Sequence, residues 1–284
     1  MRRMRPLRML IGFILSLVAV LVILTALIYF FQDRVVFIPT DEIVLTPNEV
    51  NLPFEEVFIE VDSGQRIHTW YFPVEGAAST VLFFHGNAGN ISHRVYTAQF
   101  LTSLGVNLLL VDYRGYGRSD GRASEAHVYA DAKAAYDWLT KEKQATPGSI
   151  ILFGRSLGGA VAVELATRVE CGGLVVESSF TSANEMGKIM LPWMPTWMMT
   201  RFSFDSEHRI TQVHCPVLVT HSPDDDLIPY EMGRRLFAAA PSPKEFIQLS
   251  GGHNDRVYYD SDIYVNGLQK FFIGGAEINP ETER

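Results

Sequence analysis

The chain has 284 residues, of which 47% are hydrophobic, and a formal net charge of −8 at pH 7. This size and apolar content suffice for one large core, or at most two domains. Nucleic-acid binding is disfavoured, because a phosphate backbone requires clustered Lys and Arg and this acidic chain has no basic tract. Two cysteines, Cys171 and Cys215, are too few for a disulfide framework or a Cys-based zinc site. Whether they pair is left open by the sequence.

The first predicted element is a transmembrane helix over residues 9–31, a stretch without a charged side chain. Its 23 residues would form a helix of roughly 34 Å, which is long enough to cross a bilayer. Four arginines precede it: Arg2, Arg3, Arg5 and Arg8. The positive-inside rule therefore predicts that residues 1–8 are cytoplasmic and that the main domain lies on the extracytoplasmic side.

A cleaved signal peptide is the alternative interpretation of the same stretch. Signal peptides have a shorter apolar region that ends in small residues at the cleavage site. The stretch here is longer and ends in Tyr29, Phe30 and Phe31. The sequence therefore favours an uncleaved membrane anchor.

Residues 32–53 are predicted to be a linker, and residues 54–284 a single domain in which strands and helices alternate. The runs 55–61 and 66–72 flank Ser63-Gly64 and predict an antiparallel hairpin at a sheet edge. Later runs are almost continuously apolar, as in parallel strands buried on both faces: 81–84, 106–111, 149–153, 173–177, 216–220 and 244–249.

Helical candidates lie among these runs, at 124–142, 157–169, 229–240 and about 255–272. The alternation predicts an α/β fold, a mostly parallel sheet with helices on both faces. Residues 181–209 break the rhythm with a segment dense in Met and Trp, and they are predicted to be a cap insert. Two interpretations stay open: a small apolar cap that packs on the core, or an acyl-chain pocket or lid that faces the membrane.

Polar and glycine-rich segments follow the apolar runs, at the point where each strand ends. They are HGNAGN (85–90), DYRGYGRSDG (112–121), GRSLGG (154–159), HSPDDDLIP (221–229) and SGGHND (250–255). Ligands of open parallel sheets bind beyond the carboxyl ends of the strands. The sequence therefore predicts a functional site at this edge of the sheet.

GRSLG is a G-x-S-x-G motif between a predicted strand and a predicted helix, which is the context that a nucleophile elbow requires. Gly154 and Gly158 allow the tight turn, and Ser156 is the predicted nucleophile. The main-chain NH of Leu157, at the helix N-terminus, is a predicted oxyanion donor.

A serine hydroxyl needs a base beside it. In folds built around such a nucleophile elbow, the nucleophile, the acid and the base follow in that order along the chain. Among eight histidines, His253 follows Ser156 and lies on a loop after a late strand, whereas His221 would leave no room for an acid loop. The second oxyanion donor is expected in HGNAGN, at the NH of Asn87, with His85 bracing that loop.

Together these motifs resemble the ABHD-type serine α/β-hydrolases, and in particular membrane-anchored members with the HGNAGN loop. The resemblance runs from about residue 55 to 272. It implies Ser156 as nucleophile, His253 as base, oxyanion donors at Asn87 and Leu157, and Asp225 as the acid, four residues before Pro229. The chain departs from the family pattern at Ser222, where relatives usually carry Gly. Glu177 is the alternative acid, because some α/β-hydrolases place their acid at the end of that strand.

The resemblance implies two-step acyl transfer without a metal or an organic cofactor. The expected activity is hydrolysis of carboxylic esters or thioesters, with a small-molecule or lipid-like acyl substrate reached by a membrane-anchored enzyme. A peptidase or amidase with the same triad is one alternative. A catalytically inactive membrane scaffold is another, although the motifs for a complete triad argue against it.

Overall fold

The computed structural model describes residues 4–192, 196, 200–255 and 257–274. It begins with helix α1 (Met4–Val36), which departs from helical geometry at Phe31, with φ of −109° and ψ of 18°. Residues Leu7–Val36 are long and apolar enough to cross a membrane, and they bury nothing against the domain over their most apolar part. The helix contains the predicted span and continues five residues into the predicted linker. Arg2 and Arg3 lie outside the described residues.

The strands are β1 (Ile38–Pro39), β2 (Glu55–Glu60), β3 (Arg66–Phe72), β4 (Thr80–Phe84), β5 (Ala88–Gly89), β6 (Asn107–Val111), β7 (Ile150–Arg155), β8 (Gly173–Glu177), β9 (Val217–His221) and β10 (Lys244–Gln248). The further helices are α2 (Val95–Ser103), α3 (Glu125–Lys141), α4 (Leu157–Ala166), α5 (Ala183–Met190), α6 (Ser206–Ile210), α7 (Tyr230–Ala239) and α8 (Asp262–Gly274). Short 3-10 turns occupy Pro47–Val50, Asp62–Gly64, Ile91–Arg94, Pro147–Ser149 and Val257–Asp260.

Eight strands form one sheet in the order β10-β9-β8-β7-β4-β6-β3-β2. The pairs β2–β3 and β3–β6 are antiparallel, and the other pairs are parallel. The predicted α/β-hydrolase architecture, with a mostly parallel sheet and an antiparallel edge hairpin, is confirmed.

Alternate residues of the central strands enter two separate cores, one on each face of the sheet. In β4, Leu82 and Phe84 belong to the core that includes residues of α3, α4, α6 and α7, whereas Val81 and Phe83 belong to the core that includes residues of α2 and α8. Because both faces are covered, the central strands are continuously apolar. This arrangement leaves the carboxyl edge of the sheet as the place where polar loops meet.

The chain that follows α1 is attached to the domain. β1 pairs in parallel with β5 in the HGNAGN segment, and the NH of Ile38 donates to the carbonyl of Asn87 at 2.9 Å. The side-chain amide of Asn90 donates to the carbonyls of Thr40 and Glu42, at 2.9 and 2.7 Å. The predicted linker is therefore docked on the loop where the second oxyanion donor was expected.

In the predicted cap insert, α5 and α6 flank a segment that contacts the end of α1. The NH of Arg201 donates to Oε1 of Gln32 at 2.8 Å. The Phe37 ring lies edge-on to Phe202 and Phe204, with centroids 5.6 and 6.3 Å away. Six residues of the Met- and Trp-rich cluster lie outside the described residues: Trp193, Met194, Pro195, Trp197, Met198 and Met199.

Candidate active site

The turn between β7 and α4 holds Ser156 in a backbone conformation that non-glycine residues rarely adopt, with φ of 56° and ψ of −121°. The turn is also very close to its neighbours. A Cβ on Gly154 would lie 2.0 Å from the carbonyl oxygen of Gly158, and a Cβ on Gly158 would lie 2.0 Å from that of Phe84. Only glycine fits at both positions, so the strained serine is held at the end of β7.

His253 connects Ser156 to Asp225. Its Nε2 lies 3.1 Å from Ser156 Oγ, and its Nδ1 lies 2.8 Å from Asp225 Oδ2. With the proton on Nδ1, which donates to the carboxylate, Nε2 is left to accept the proton of the serine. The structure thus brings together the three side chains that were expected to act together.

The main chain of His253 is held from two sides. Its NH donates to Asp226 Oδ1 at 2.9 Å, and its carbonyl accepts from the Arg155 guanidinium at 2.6 Å. Asp226 therefore fixes the loop that carries the imidazole. The resemblance assigns a role only to Asp225 among the three consecutive aspartates, and no sequence signal distinguishes Asp226 from Asp224.

The carboxylate of Asp225 is buried, and both of its oxygens have hydrogen-bonding partners. Oδ1 accepts from the NH groups of Leu227 and Ile228 at 3.0 and 2.8 Å, and His221 Nε2 lies 3.3 Å from Oδ2. Burial alone would raise the pKa of Asp225. The hydrogen bonds from His221, His253 and Ile228 outweigh burial and hold this pKa well below its usual range. Asp225 is therefore an anion beside the imidazole at neutral pH.

Glu177, the alternative acid, is buried at the end of β8. Its Oε2 accepts from the Tyr264 hydroxyl, and its Oε1 lies 3.4 Å from Arg155 Nε. These contacts direct the carboxylate towards Arg155 and Tyr264, whereas Nδ1 of His253 already has Asp225 as its partner.

The two candidate oxyanion donors lie on either side of Ser156. Leu157 is the first residue of α4, so its NH belongs to the first turn, whose NH groups lack acceptors within the helix. A Cβ on Gly86 would lie 3.3 Å from Ser156 Cβ, which places the HGNAGN loop directly against the serine. Asn87, Ser156 and Leu157 line the same cavity.

His85 orients the peptide that carries the NH of Asn87. Its Nδ1 donates at 2.6 Å to the carbonyl of Gly86, which belongs to that same peptide unit. Its Nε2 lies 3.3 Å from the buried carboxylate of Asp112. Burial would raise the pKa of Asp112, but the imidazoles of His68 and His85, which lie 3.5 and 3.3 Å from its oxygens, outweigh burial and hold this pKa below its ordinary value. His85 thus braces the loop, as expected.

The cavity beside Ser156 has a volume of about 270 Å³ and mostly apolar walls. Asn87, Ser156 and Leu157 form one wall of the cavity. The other walls come from α5, from the segment that follows it, from Leu227 and Ile228, and from the end of α1.

Known proteins are similar to this chain in sequence and in fold. A family model described as serine aminopeptidase, S33, matches residues 76–208. An uncharacterised protein of Mycobacterium tuberculosis is 39% identical over 248 residues, which cover 86% of this chain and 88% of that protein. The alpha/beta hydrolase domain-containing protein WAV2 of Arabidopsis thaliana is 31% identical over 267 residues, covering 84% of this chain and 86% of that protein.

The chain belongs to the α/β-hydrolase family. Solved structures agree with this assignment at the level of the fold. An esterase of Pyrococcus furiosus, Pf2001, superposes with a TM-score of 0.68 at 19% identity, covering 83% of this α/β-hydrolase and 98% of the esterase. A puromycin-hydrolyzing peptidase of Mycobacterium tuberculosis superposes with a TM-score of 0.61 at 18% identity, covering 80% of this α/β-hydrolase and 40% of the peptidase.

Acid should remove the stability that Asp225 gives this α/β-hydrolase. Its pKa is depressed in the folded chain. A carboxyl group of this kind stabilises the fold above its unfolded pKa of about 3.9 and loses that contribution as the pH falls further. We expect the Tm of the wild type to exceed that of Asp225→Asn from about pH 5 upward, and the difference to shrink below about pH 4. Thermal unfolding of both proteins across this pH range measures the difference in Tm. A difference in Tm that grows on acidification would contradict the expectation.

Proposed function

We propose that this α/β-hydrolase is a membrane-anchored serine hydrolase that cleaves carboxylic esters or thioesters of lipid-like acyl groups. The observation that carries the proposal is the chain of hydrogen bonds from Ser156 through His253 to Asp225, which opens on an apolar cavity. Family membership supports the reaction class. The apolar walls support an acyl substrate, since such a cavity favours hydrocarbon over polar groups.

In the proposed mechanism, His253 Nε2 takes the hydroxyl proton as Ser156 Oγ attacks the carbonyl carbon. The NH groups of Asn87 and Leu157 stabilise the negative charge on the carbonyl oxygen, and each such donor contributes on the order of 10²–10³ in rate. His253 then protonates the leaving alcohol or thiol. A water molecule, activated by the same imidazole, releases the acid from Ser156. Asp225 keeps the imidazole in the required tautomer throughout.

The anchor sets the proposed location. Helix α1 carries basic residues before its apolar part, so we propose that the N-terminus is cytoplasmic and that the hydrolase domain lies on the extracytoplasmic side. The substrate is then presented by the same membrane that holds the enzyme.

The two cysteines should report on this orientation. Their Sγ atoms lie 2.9 Å apart, with Cys171 just before β8 and Cys215 just before β9. In an oxidising compartment we expect them to form a disulfide. Intact-mass measurement of protein extracted without reductant should give a mass lower by two hydrogens than after reduction. Full alkylation of both thiols in unreduced native membranes would contradict the proposed orientation.

A peptidase or amidase is the second candidate, favoured by the serine aminopeptidase description of the family model that matches residues 76–208. The preferred leaving group distinguishes an esterase or thioesterase from a peptidase or amidase. Full-length protein in detergent should be assayed with nitrophenyl esters from two to sixteen carbons, with acyl thioesters and with aminoacyl nitroanilides. We expect kcat/KM to rise with acyl length and to be lowest for the nitroanilides. Efficient nitroanilide cleavage would favour the peptidase, and a steady fall from two to sixteen carbons would contradict a lipid-like substrate.

A further inference from the structure

We propose that the end of the membrane helix is itself part of the acyl-binding site, and that Ile28, Gln32, Val35 and Val36 help to determine which acyl chains fit. This inference rests on the proposed function. It assigns to the anchor a role in substrate selection in addition to membrane attachment.

One face of α1 turns towards the domain over its last turns. Ile28, Gln32 and Val36 follow each other at four-residue spacing and are at least partly buried, whereas Phe30 on another face is 69% exposed. Residues four apart lie on one side of a helix, and the burial of these three residues shows that α1 turns this side to the domain both before and after its irregular residue Phe31. The anchor therefore presents a defined stripe to the hydrolase domain.

A hydrogen bond fixes this contact. Gln32 is only 7% exposed, and its Oε1 accepts from the NH of Arg201 at 2.8 Å. A buried amide side chain is costly unless it is hydrogen-bonded, so this pairing favours one position of the helix end. Phe37, directly after the helix, packs on Phe202 and Phe204.

The helix end also continues into the candidate oxyanion loop. Two residues beyond α1, the NH of Ile38 donates to the carbonyl of Asn87 at 2.9 Å. The Tyr116 hydroxyl donates to the same carbonyl at 2.7 Å. The position of the anchor and the geometry beside Ser156 are thus connected through a single short segment.

The cavity runs between the serine and this helix end. Ser156 lines the cavity together with Ile28, Gln32, Val35 and Val36 of α1 and with Met186, Gly187 and Met190 of α5. An acyl group with its carbonyl carbon at Ser156 would extend its chain between α1 and α5. Ile28 lies within the predicted membrane span, and Met190 at the end of α5 is 59% exposed. The acyl chain would therefore enter from the bilayer side, next to the anchor.

The test uses full-length protein in liposomes and compares a two-carbon with a sixteen-carbon nitrophenyl ester. Ile28→Trp and Val36→Trp fill the cavity, and Phe30→Trp is the matched control on the exposed face. We expect each cavity variant to lower kcat/KM for the long ester by about tenfold or more, with little change for the short ester. Labelling by a small fluorophosphonate should be unchanged in Ile28→Trp, because this variant touches neither the triad nor the segment that pairs with the HGNAGN loop.

If the Trp variants do not fold, Ile28→Ala and Val36→Ala test whether the helix end contributes to acyl-chain binding. They remove apolar contact without adding bulk, so we expect KM for the long ester to rise about fivefold to tenfold while kcat is kept. Equal effects on both esters, or effects matched by Phe30→Trp, would overturn the inference while leaving the proposed function intact. A wild type that neither cleaves any ester nor reacts with the fluorophosphonate would instead refute the proposed function.

Discussion

Asp225→Asn is expected to lower kcat for the preferred ester by about four orders of magnitude. The asparagine oxygen can still accept from Leu227 and Ile228, as Oδ1 of the aspartate does. Its NH₂ group then faces Nδ1 of His253, which holds Asp225 Oδ2 at 2.8 Å in the wild type. Two donors cannot share that contact, so the imidazole adopts the other tautomer. Nε2 then carries the proton and cannot accept one from Ser156.

The neighbouring carboxylates provide the controls. Asp224→Asn changes an exposed side chain, and Glu177→Gln keeps the size of a side chain that faces Arg155 and Tyr264. We expect turnover per folded molecule to stay close to the wild-type value in both. Steady-state assays of the three variants at equal concentrations of folded protein make the comparison. A severe loss in Glu177→Gln with near-normal Asp225→Asn would reassign the acid to Glu177.

Gly158→Ala is expected to destabilise the fold by several kcal/mol and to reduce turnover of the remaining folded protein by about two orders of magnitude or more. The new Cβ would lie 2.0 Å from the carbonyl oxygen of Phe84 and 2.8 Å from that of His85. Both are main-chain atoms at the end of β4, so α4 has to move away from the sheet. That shift separates the NH of Leu157 from the HGNAGN loop.

Gly148→Ala is the matched control, because a Cβ there meets no atom within 4 Å and the residue lies outside the site. Thermal unfolding and rates of ester hydrolysis should be measured for both variants. Wild-type stability and activity in Gly158→Ala would show that the elbow is not packed as described here.

Much of the fold is encoded in local sequence patterns. β8 was predicted with the observed bounds because a strand buried on both faces is a continuous apolar run. The helix over 95–103 was missed, since it spans only nine residues. Its buried positions Val95, Ala98 and Leu101 are spaced by three, a weak signal over so short a stretch. Patterns of this kind identify elements best when the elements are long or fully buried.

In the candidate site, too, some residues could be predicted from local sequence patterns and others could not. Ser156 and His253 could be singled out because each follows a recognisable strand in a glycine-rich turn. The docking of residues 38–40 on the HGNAGN loop could not be predicted from the sequence. It depends on main-chain hydrogen bonds between segments about fifty residues apart, and such bonds do not require particular side chains. The role of Asp226 could not be predicted either, because its bond to the NH of His253 depends on how two loops meet.

The central claim is that Ser156 is a nucleophile activated by His253. It is tested most directly by treating the full-length protein in membranes with a fluorophosphonate and locating the adduct by peptide mass spectrometry. We expect a single adduct on Ser156, which is absent from Ser156→Ala and forms much more slowly in Asp225→Asn. Folded wild-type protein that gains no adduct, or that gains one on another serine while Ser156 stays unmodified, would contradict it.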